Sequence, residues 1–342
     1  MEEDGKGYWL VPVDLKVRRN ASLAKQLGNL SAWFRYHAVL PARTTTGLRV
    51  TRSFSVSSTD EGLHGLWQSG QPALKIWIGH FNDGADVVWR DDAIRTGSWR
   101  AIGVSPANVR QESVEGAVTA AVAAGAQVVV FPEFTLGLAQ RRQLLLLMRR
   151  NTWPTLLLLL AGSFHEIVGG EAFNVARLYD GQGSEILVHR KLRLFGNVHE
   201  GSEDVSVGDA VHVLVTPIGC LTVLICKDFI DLAVSVVGLL TEVPVDWVLV
   251  PSFGDAKTIR AHKAKAKQIA VVTTGTHSVV AQTLNTAVPG EVPPLECVRG
   301  FGHAAGQPDP EPQVGETGGL VSFPLLRQNP PPAGQAEKPN AA

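Results

Sequence analysis

The chain has 342 residues, 45% of them hydrophobic and 18% charged, enough apolar material to core one large or two moderate domains. Its 31 lysines and arginines stand against 32 aspartates and glutamates. That balance provides no basic excess for nucleic acid or an anionic membrane surface.

The first residues, "MEEDGKGYWLVPVDL", are acidic and lack the apolar stretch of a signal peptide. The richest apolar run, "LLLLMRRNTWPTLLLLLAG", is interrupted by Arg149, Arg150, Asn151 and Pro154, so no segment is read as crossing a bilayer. The three cysteines, Cys220, Cys226 and Cys297, are too few for a disulfide framework and lack zinc-ligand spacing. The expectation is a cytoplasmic protein without metal or cofactor.

In chain order, "YWLVPVDLKV" reads as a strand and "NASLAKQLGNLSAWFRYHAV" as a helix capped by Asn20. "GLRVTRSFSVSS" alternates as a strand does. "LKIWIGHFNDGADVVW" reads as two strands around an Asn82-Asp83-Gly84 turn. Six of the eight tryptophans (Trp9, Trp33, Trp67, Trp77, Trp89 and Trp99) fall before residue 100 and read as core and interface anchors. Near residue 98 the pattern changes to alternating strands and helices. "WRAIGVSP" is a strand, and "NVRQESVEGAVTAAVAAG" is a helix that Gly125 can end. "AQVVVFPEF" and "PTLLLLLAGSF" are buried strands. "FNVARLYDGQGSEILVHRKLRLF" is a hairpin turning at Asp180-Gly181. "GCLTVLIC", "VDWVLVPS" and "AVVTTGTHSVVAQT" are further strands, separated by the helical "DLAVSVVGLL" and the basic, helical "TIRAHKAKAKQ". A last strand, "GGLVSFPLL", precedes a Pro-rich tail that reads as disordered. The division expected is an N-terminal mixed α+β region over 1–98, a domain over 99–325 and a tail over 326–342.

Three strands of the second region end on reactive side chains. "VVVFPE" ends on Glu133, "EILVHRK" on Lys191 and "LTVLIC" on Cys226. In layered α/β structures, sites gather beyond the carboxyl ends of strands. A thiol attacks an acyl carbon as thiolate, so it needs a base, which Glu133 can supply once burial raises its pKa. The tetrahedral oxyanion then needs a fixed cation, Lys191, with the backbone N–H after Cys226 as a second donor. A Cys–His arrangement is the competing thiol chemistry, but His165, His189, His199, His212, His262 and His277 fall in no recognisable signature. Cys220 reads as core, and Cys297 is given no role.

"VVVFPEF", "HRKLRLF" and "GCLTVLICKDF", in this order, resemble the three signatures of the nitrilase superfamily of carbon–nitrogen hydrolases. The resemblance runs from about Trp99 to about Thr283. It implies a four-layer α-β-β-α sandwich, a Glu133–Lys191–Cys226 triad and a homodimer. It also implies a second glutamate between lysine and cysteine that positions the substrate, at Glu200 or alternatively Glu203. The implied activity is cofactor-free hydrolysis of a small amide, or of a nitrile, through a thioester on Cys226. Lys227 departs from the pattern, since it places a cation directly after the cysteine. The alternative reading is a regulatory or scaffold module of the same fold, with weak or lost activity, that acts through a protein partner of the N-terminal region.

Overall fold

The computed structural model describes residues 7–12, 37–67, 73–81, 86–90, 97–151, 153–197, 201–232, 238–273, 275–284, 299–305, 307, 311–312 and 318–325. β1 (Tyr8–Pro12) and β2 (His37–Pro41) form an antiparallel ribbon. β3 (Arg49–Phe54) leads through helix α1 (Ser57–Leu66) to β4 (Ala73–Gly79). The antiparallel pair β5 (Val87–Arg90) and β6 (Ser98–Val104) precedes α2 (Ala107–Ala123). β7 (Val128–Val130), α3 (Leu138–Arg150), β8 (Leu158–Val168), β9 (Glu171–Asp180) and β10 (Glu185–Arg190) follow. Then come the short β11 (Gly196–Asn197) and β12 (Gly201–Glu203), and the hairpin of β13 (Ala210–Thr216) and β14 (Gly219–Val223). Helices α4 (Lys227–Leu232) and α5 (Leu239–Glu242) precede β15 (Trp247–Gly254), α6 (Ala256–Val272) and β16 (His277–Leu284). β17 (Gly300–His303), β18 (Glu311–Pro312) and β19 (Gly318–Pro324) are last.

The main sheets have six strands in the order β10-β9-β8-β7-β4-β19 and seven in the order β18-β17-β16-β15-β14-β13-β3. Their strands alternate between two apolar faces, as the two-residue period of a strand requires. Val128, Val130, Leu158 and Leu160 of one sheet share a core with Leu221, Val223, Trp247 and Leu249 of the other. The intervening residues face outwards. Val129 and Leu159 pack with Val114, Val118, Leu144 and Met148 of α2 and α3. Val248 and Val250 pack with Ile259 and Ile269 of α6. Two sheets that each bury both faces explain the nearly unbroken apolar strands.

Several sequence expectations change here. The composition shift at residue 98 is not a break in the sheets, because β3 pairs with β13 and β4 lies between β7 and β19. β4 is a parallel neighbour of β7, whereas the "WRAIGVSP" strand, β6, pairs with β5 and β12. β4 and β5 are both strands but belong to different sheets, so they do not pair around residues 82–84, which lie outside the described residues. The end of the stretch read as a helix capped by Asn20 is strand β2, and its remainder lies outside the described residues, as do Cys297 and the tail. The helices α1 and α3 and the strand β13 had no sequence reading. In α3 the continuous Leu144 to Leu147 run hides the helical period. α2 does end at Ala123, with Gly125 left-handed (φ 73°), and β9 and β10 form the expected hairpin. No helix among the described residues is long and apolar enough to cross a membrane.

Candidate active site

Glu133, Lys191 and Cys226 line one cavity of about 610 Å³. Glu133 sits just beyond β7, held by its N–H to the Ser252 carbonyl (3.2 Å) and its carbonyl to the Thr283 hydroxyl (3.1 Å). The crossing of β8 at this point requires Gly162, which is left-handed (φ 74°) and would place a Cβ 2.1 Å from the Pro132 carbonyl oxygen. Lys191 follows β10, its N–H bonded to the Asn174 carbonyl on β9 (2.8 Å). It is 2% exposed and points inwards, whereas Arg193 points to solvent and Arg190 lies over the Phe173 ring.

Cys226 lies between β14 and α4 with φ 44°, a left-handed conformation that costs a non-glycine residue about 1–3 kcal/mol. Neighbouring groups hold it there. Its N–H donates to the Pro251 carbonyl (2.9 Å), and its carbonyl accepts from the Phe229 N–H (3.0 Å). His262, buried on α6, brings its Nε2 to 3.3 Å from that same carbonyl. Asp228 completes the elbow. One of its oxygens accepts the N–H groups of Leu192 (2.9 Å) and Arg193 (2.7 Å), and the other accepts from Ile225 N–H and from His189 Nε2 (3.1 Å each). The turn carrying the thiol is therefore tied to the residues that follow the lysine.

The charges form a compact cluster. Lys191 Nζ donates to Glu133 Oε1 and to Glu203 Oε1, each at 2.9 Å. Asn174 Nδ2 donates to the same two oxygens, at 2.7 and 3.1 Å. Glu203 further accepts from the Phe195 N–H (2.6 Å) and from His165 Nε2 (3.3 Å). Because His165 Nδ1 accepts the Ala101 N–H (2.9 Å), the ring proton sits on Nε2, so the histidine is a neutral donor to Glu203. Burial holds its pKa low, against the pull of Glu203.

These surroundings separate the two glutamates. For Glu133, burial outweighs the favourable charge of Lys191, and the negative Glu203 adds to it, raising the pKa to about 7. For Glu203, burial is overcome by Lys191 and the other donors, which lower the pKa to about 2. Burial also opposes the charge on Lys191, but Glu133, Glu203 and the thiol reverse that, so its pKa lies above the ordinary lysine value. Burial, then the charge of Glu133, raises the Cys226 thiol to about 12, partly offset by Lys191. The resting thiol is protonated and needs a base, and beside it stands a carboxyl that titrates near neutrality.

Of the two candidates for the further glutamate, Glu203 is the one seen against Lys191, and Glu200 lies outside the described residues. Lys227 stands on the cavity rim, its Nζ 3.9 Å from Asp231. Cys220 is fully buried in the core, as its strand position suggested. Sequence reasoning missed Asn174 and the role of Asp228, and weighed His165 and His262 only as partners in a Cys–His arrangement. Only Asp228 had a local signal, an acidic residue next to an apolar strand end. Trp89 and Trp99 pack against the core cluster of Val87, Ala101, Val104, Phe134 and Phe164, as expected of core anchors, and also line the cavity.

Residues 110–230 match the family model of carbon-nitrogen hydrolases. No curated protein matches the chain. Among solved structures, an amidase from Nesterenkonia sp. is similar at 19% identity, with TM-score 0.50, over 74% of this chain and 90% of that one. A mutant of the Nesterenkonia AN1 amidase, of the nitrilase superfamily, is similar at 18% identity, with TM-score 0.51 and the same coverage. The C. elegans NitFhit protein is similar at 14% identity, with TM-score 0.52, over 74% of this chain and 61% of that one. The family match thus covers residues 110–230 of the 342, and the chain shares the fold of these solved structures.

Proposed function

We propose that the chain is a cysteine-dependent amidase that hydrolyses a non-peptide C–N bond through a thioester on Cys226. The observation that carries this reading is the convergence of a near-neutral carboxyl, a buried ammonium and a thiol on one cavity. Glu133 Oε1 is taken by Lys191 and Asn174, whereas Oε2 has no hydrogen-bond partner among the described residues, which leaves it for the thiol proton. The thiolate attacks the amide carbon. Lys191 and the peptide N–H of Lys227 stabilise the oxyanion, each donor contributing about 3 kcal/mol in a water-poor site. Glu133, now protonated, gives its proton to the departing amine. It then takes a proton from the water that cleaves the thioester. Glu203 positions Lys191 and keeps it charged.

The reading includes the four-layer α-β-β-α arrangement, a homo-oligomeric cytoplasmic protein and a reaction that uses only these side chains and water. Amide is favoured over nitrile because similar solved structures are those of amidases. The test is ammonia release from a panel of primary amides, with intact-mass detection of the acyl adduct. Turnover abolished by Cys226→Ala, with an adduct on Cys226 in the native chain, is the expected result. Absence of both adduct and turnover would sink the hydrolase reading and leave the regulatory module acting through a protein partner.

A further inference from the structure

The cavity above the triad is walled by five aromatic rings, those of Trp89, Trp99, Phe134, Phe195 and Phe253. Trp89 is the hub. Its ring lies edge-on to Trp99 (5.0 Å between centroids), Phe134 (5.2 Å) and Phe253 (5.9 Å). Such an interlocked set is rigid before anything binds, so little ordering is left for a ligand to impose.

The wall is a product of the small sheet ordered β11-β12-β6-β5. β5 and β6 lie in sequence between β4 and α2, outside both large sheets. β5 keeps the two-residue alternation of a strand, so that Val88 is exposed while Trp89 turns to the cavity, and the register shift opposite it leaves Ile102 of β6 as the extra, exposed residue. Trp99 is the register partner of Glu203 on β12 and stacks on His165 (5.9 Å, 20°). The sheet that carries the two tryptophans on β5 and β6 thus also holds Glu203, on β12, against Lys191.

Among the described residues, the lysines on the rim each stand near a carboxylate. Lys227 stands 3.9 Å from Asp231, and the Lys257 charge acts on Asp255, whose carboxylate caps α6. A volume of 610 Å³ lies in the range of pockets that hold drug-sized ligands, about 300–1,000 Å³, and an amide as small as acetamide would leave most of it to water.

Resting on the amidase reading, we infer that the substrate is an uncharged primary amide whose acyl group ends in an aromatic ring or a comparably large apolar group, with Trp89 and Trp99 as its specificity-determining contacts. The reaction balances as for any amide: the C–N bond is replaced by a C–S bond and then a C–O bond, with one water consumed and ammonia released.

The test compares phenylacetamide with acetamide on the full chain. The wild type is expected to favour phenylacetamide by about a hundredfold in kcat/KM, the scale of discrimination in an apolar pocket. Trp89→Ala and Trp99→Leu should each lower that ratio about tenfold. A ratio near one in the wild type, or an equal loss on both amides in the variants, would overturn the assignment of the wall. Binding of phenylacetamide to Cys226→Ala, followed by saturation-transfer NMR, separates the two readings. Binding that weakens in Cys226→Ala/Trp89→Ala, without turnover of any amide, keeps the wall and removes the hydrolase. Acetamide turnover with no phenylacetamide binding keeps the hydrolase and removes the wall. Neither binding nor turnover overturns both.

Discussion

Asp228 accepts the peptide N–H of Leu192 at 2.9 Å through Oδ1, and this bond joins the turn after Cys226 to the turn after Lys191. The same oxygen takes the Arg193 N–H, while Oδ2 takes the Ile225 N–H and His189 Nε2, so a fully buried carboxylate answers four donors. Lys191 and Cys226 follow strands of different sheets, β10 and β14, and the shared acceptor ties the two exits together.

Asp228→Ala should therefore destabilise the protein by about 3–5 kcal/mol, because it orphans four buried donors at once. Asp228→Asn should cost less, about 1–3 kcal/mol, since its amide carbonyl still accepts. Denaturant midpoints measure both. A loss below about 0.5 kcal/mol in the alanine variant would show that the link carries no strain.

The thiol should follow the titration of Glu133. Alkylation of Cys226 by limiting iodoacetamide is expected to slow as pH falls through about 7, where Glu133 becomes protonated and can no longer serve as base. Glu133→Gln should move the profile to a much higher pH. Stability has its own sign. The folded pKa of Glu133 is raised from 4.5 to about 7, so its favourable contribution is complete below about 4.5 and is lost as pH rises through about 7. Relative to Glu133→Gln, the wild type should lose stability across that window, and a flat difference would contradict the raised pKa.

Glu203→Gln should lower kcat about 10²–10³-fold, with a smaller effect on KM, because an amide cannot hold the Lys191 ammonium as the carboxylate does. Glu200→Gln should cost less than tenfold. The reverse order in steady-state kinetics would make Glu200 the positioning carboxylate.

Gly162→Ala should destabilise by about 2–4 kcal/mol, since its Cβ would stand 2.1 Å from the Pro132 carbonyl oxygen at a left-handed φ of 74°. Because the crossing lies one residue from Glu133, Cys226 alkylation should also slow in any variant protein that folds.

A fragment starting at residue 99 should fail to fold. It lacks β4, whose Ile76 and Ile78 are fully buried, and leaves β7 and β19 without the strand between them. A soluble 99–342 fragment with native circular dichroism would show instead that 1–98 is dispensable.

The elements around the triad were legible because both sheets are covered on both faces. β7, β8, β14 and β15 each carry a near-continuous apolar run that stops where the chain leaves the sheet, and Glu133 and Cys226 stand at or just beyond such stops. Lys191 was harder to single out, because Arg190 and Arg193 have the same local chemistry and only the inward turn after β10 distinguishes it. α3 and β13 were lost in apolar runs whose period is ambiguous over a few residues.

What the sequence by itself determined is the three reactive residue types at strand ends, Glu133, Lys191 and Cys226, and their resemblance to the signatures of a family in which such residues act together. What only the tertiary structure decided is which groups surround them. Asn174 is 41 residues from Glu133, and His262 is 36 from Cys226. Trp89 reaches the cavity from a sheet of its own. No periodicity records such meetings, because they arise from pairing between strands distant in sequence and from the burial that pairing creates. Burial raises the pKa of both Glu133 and Glu203, and the charge of Lys191 with the other donors overcomes it only at Glu203, so the two carboxyls part.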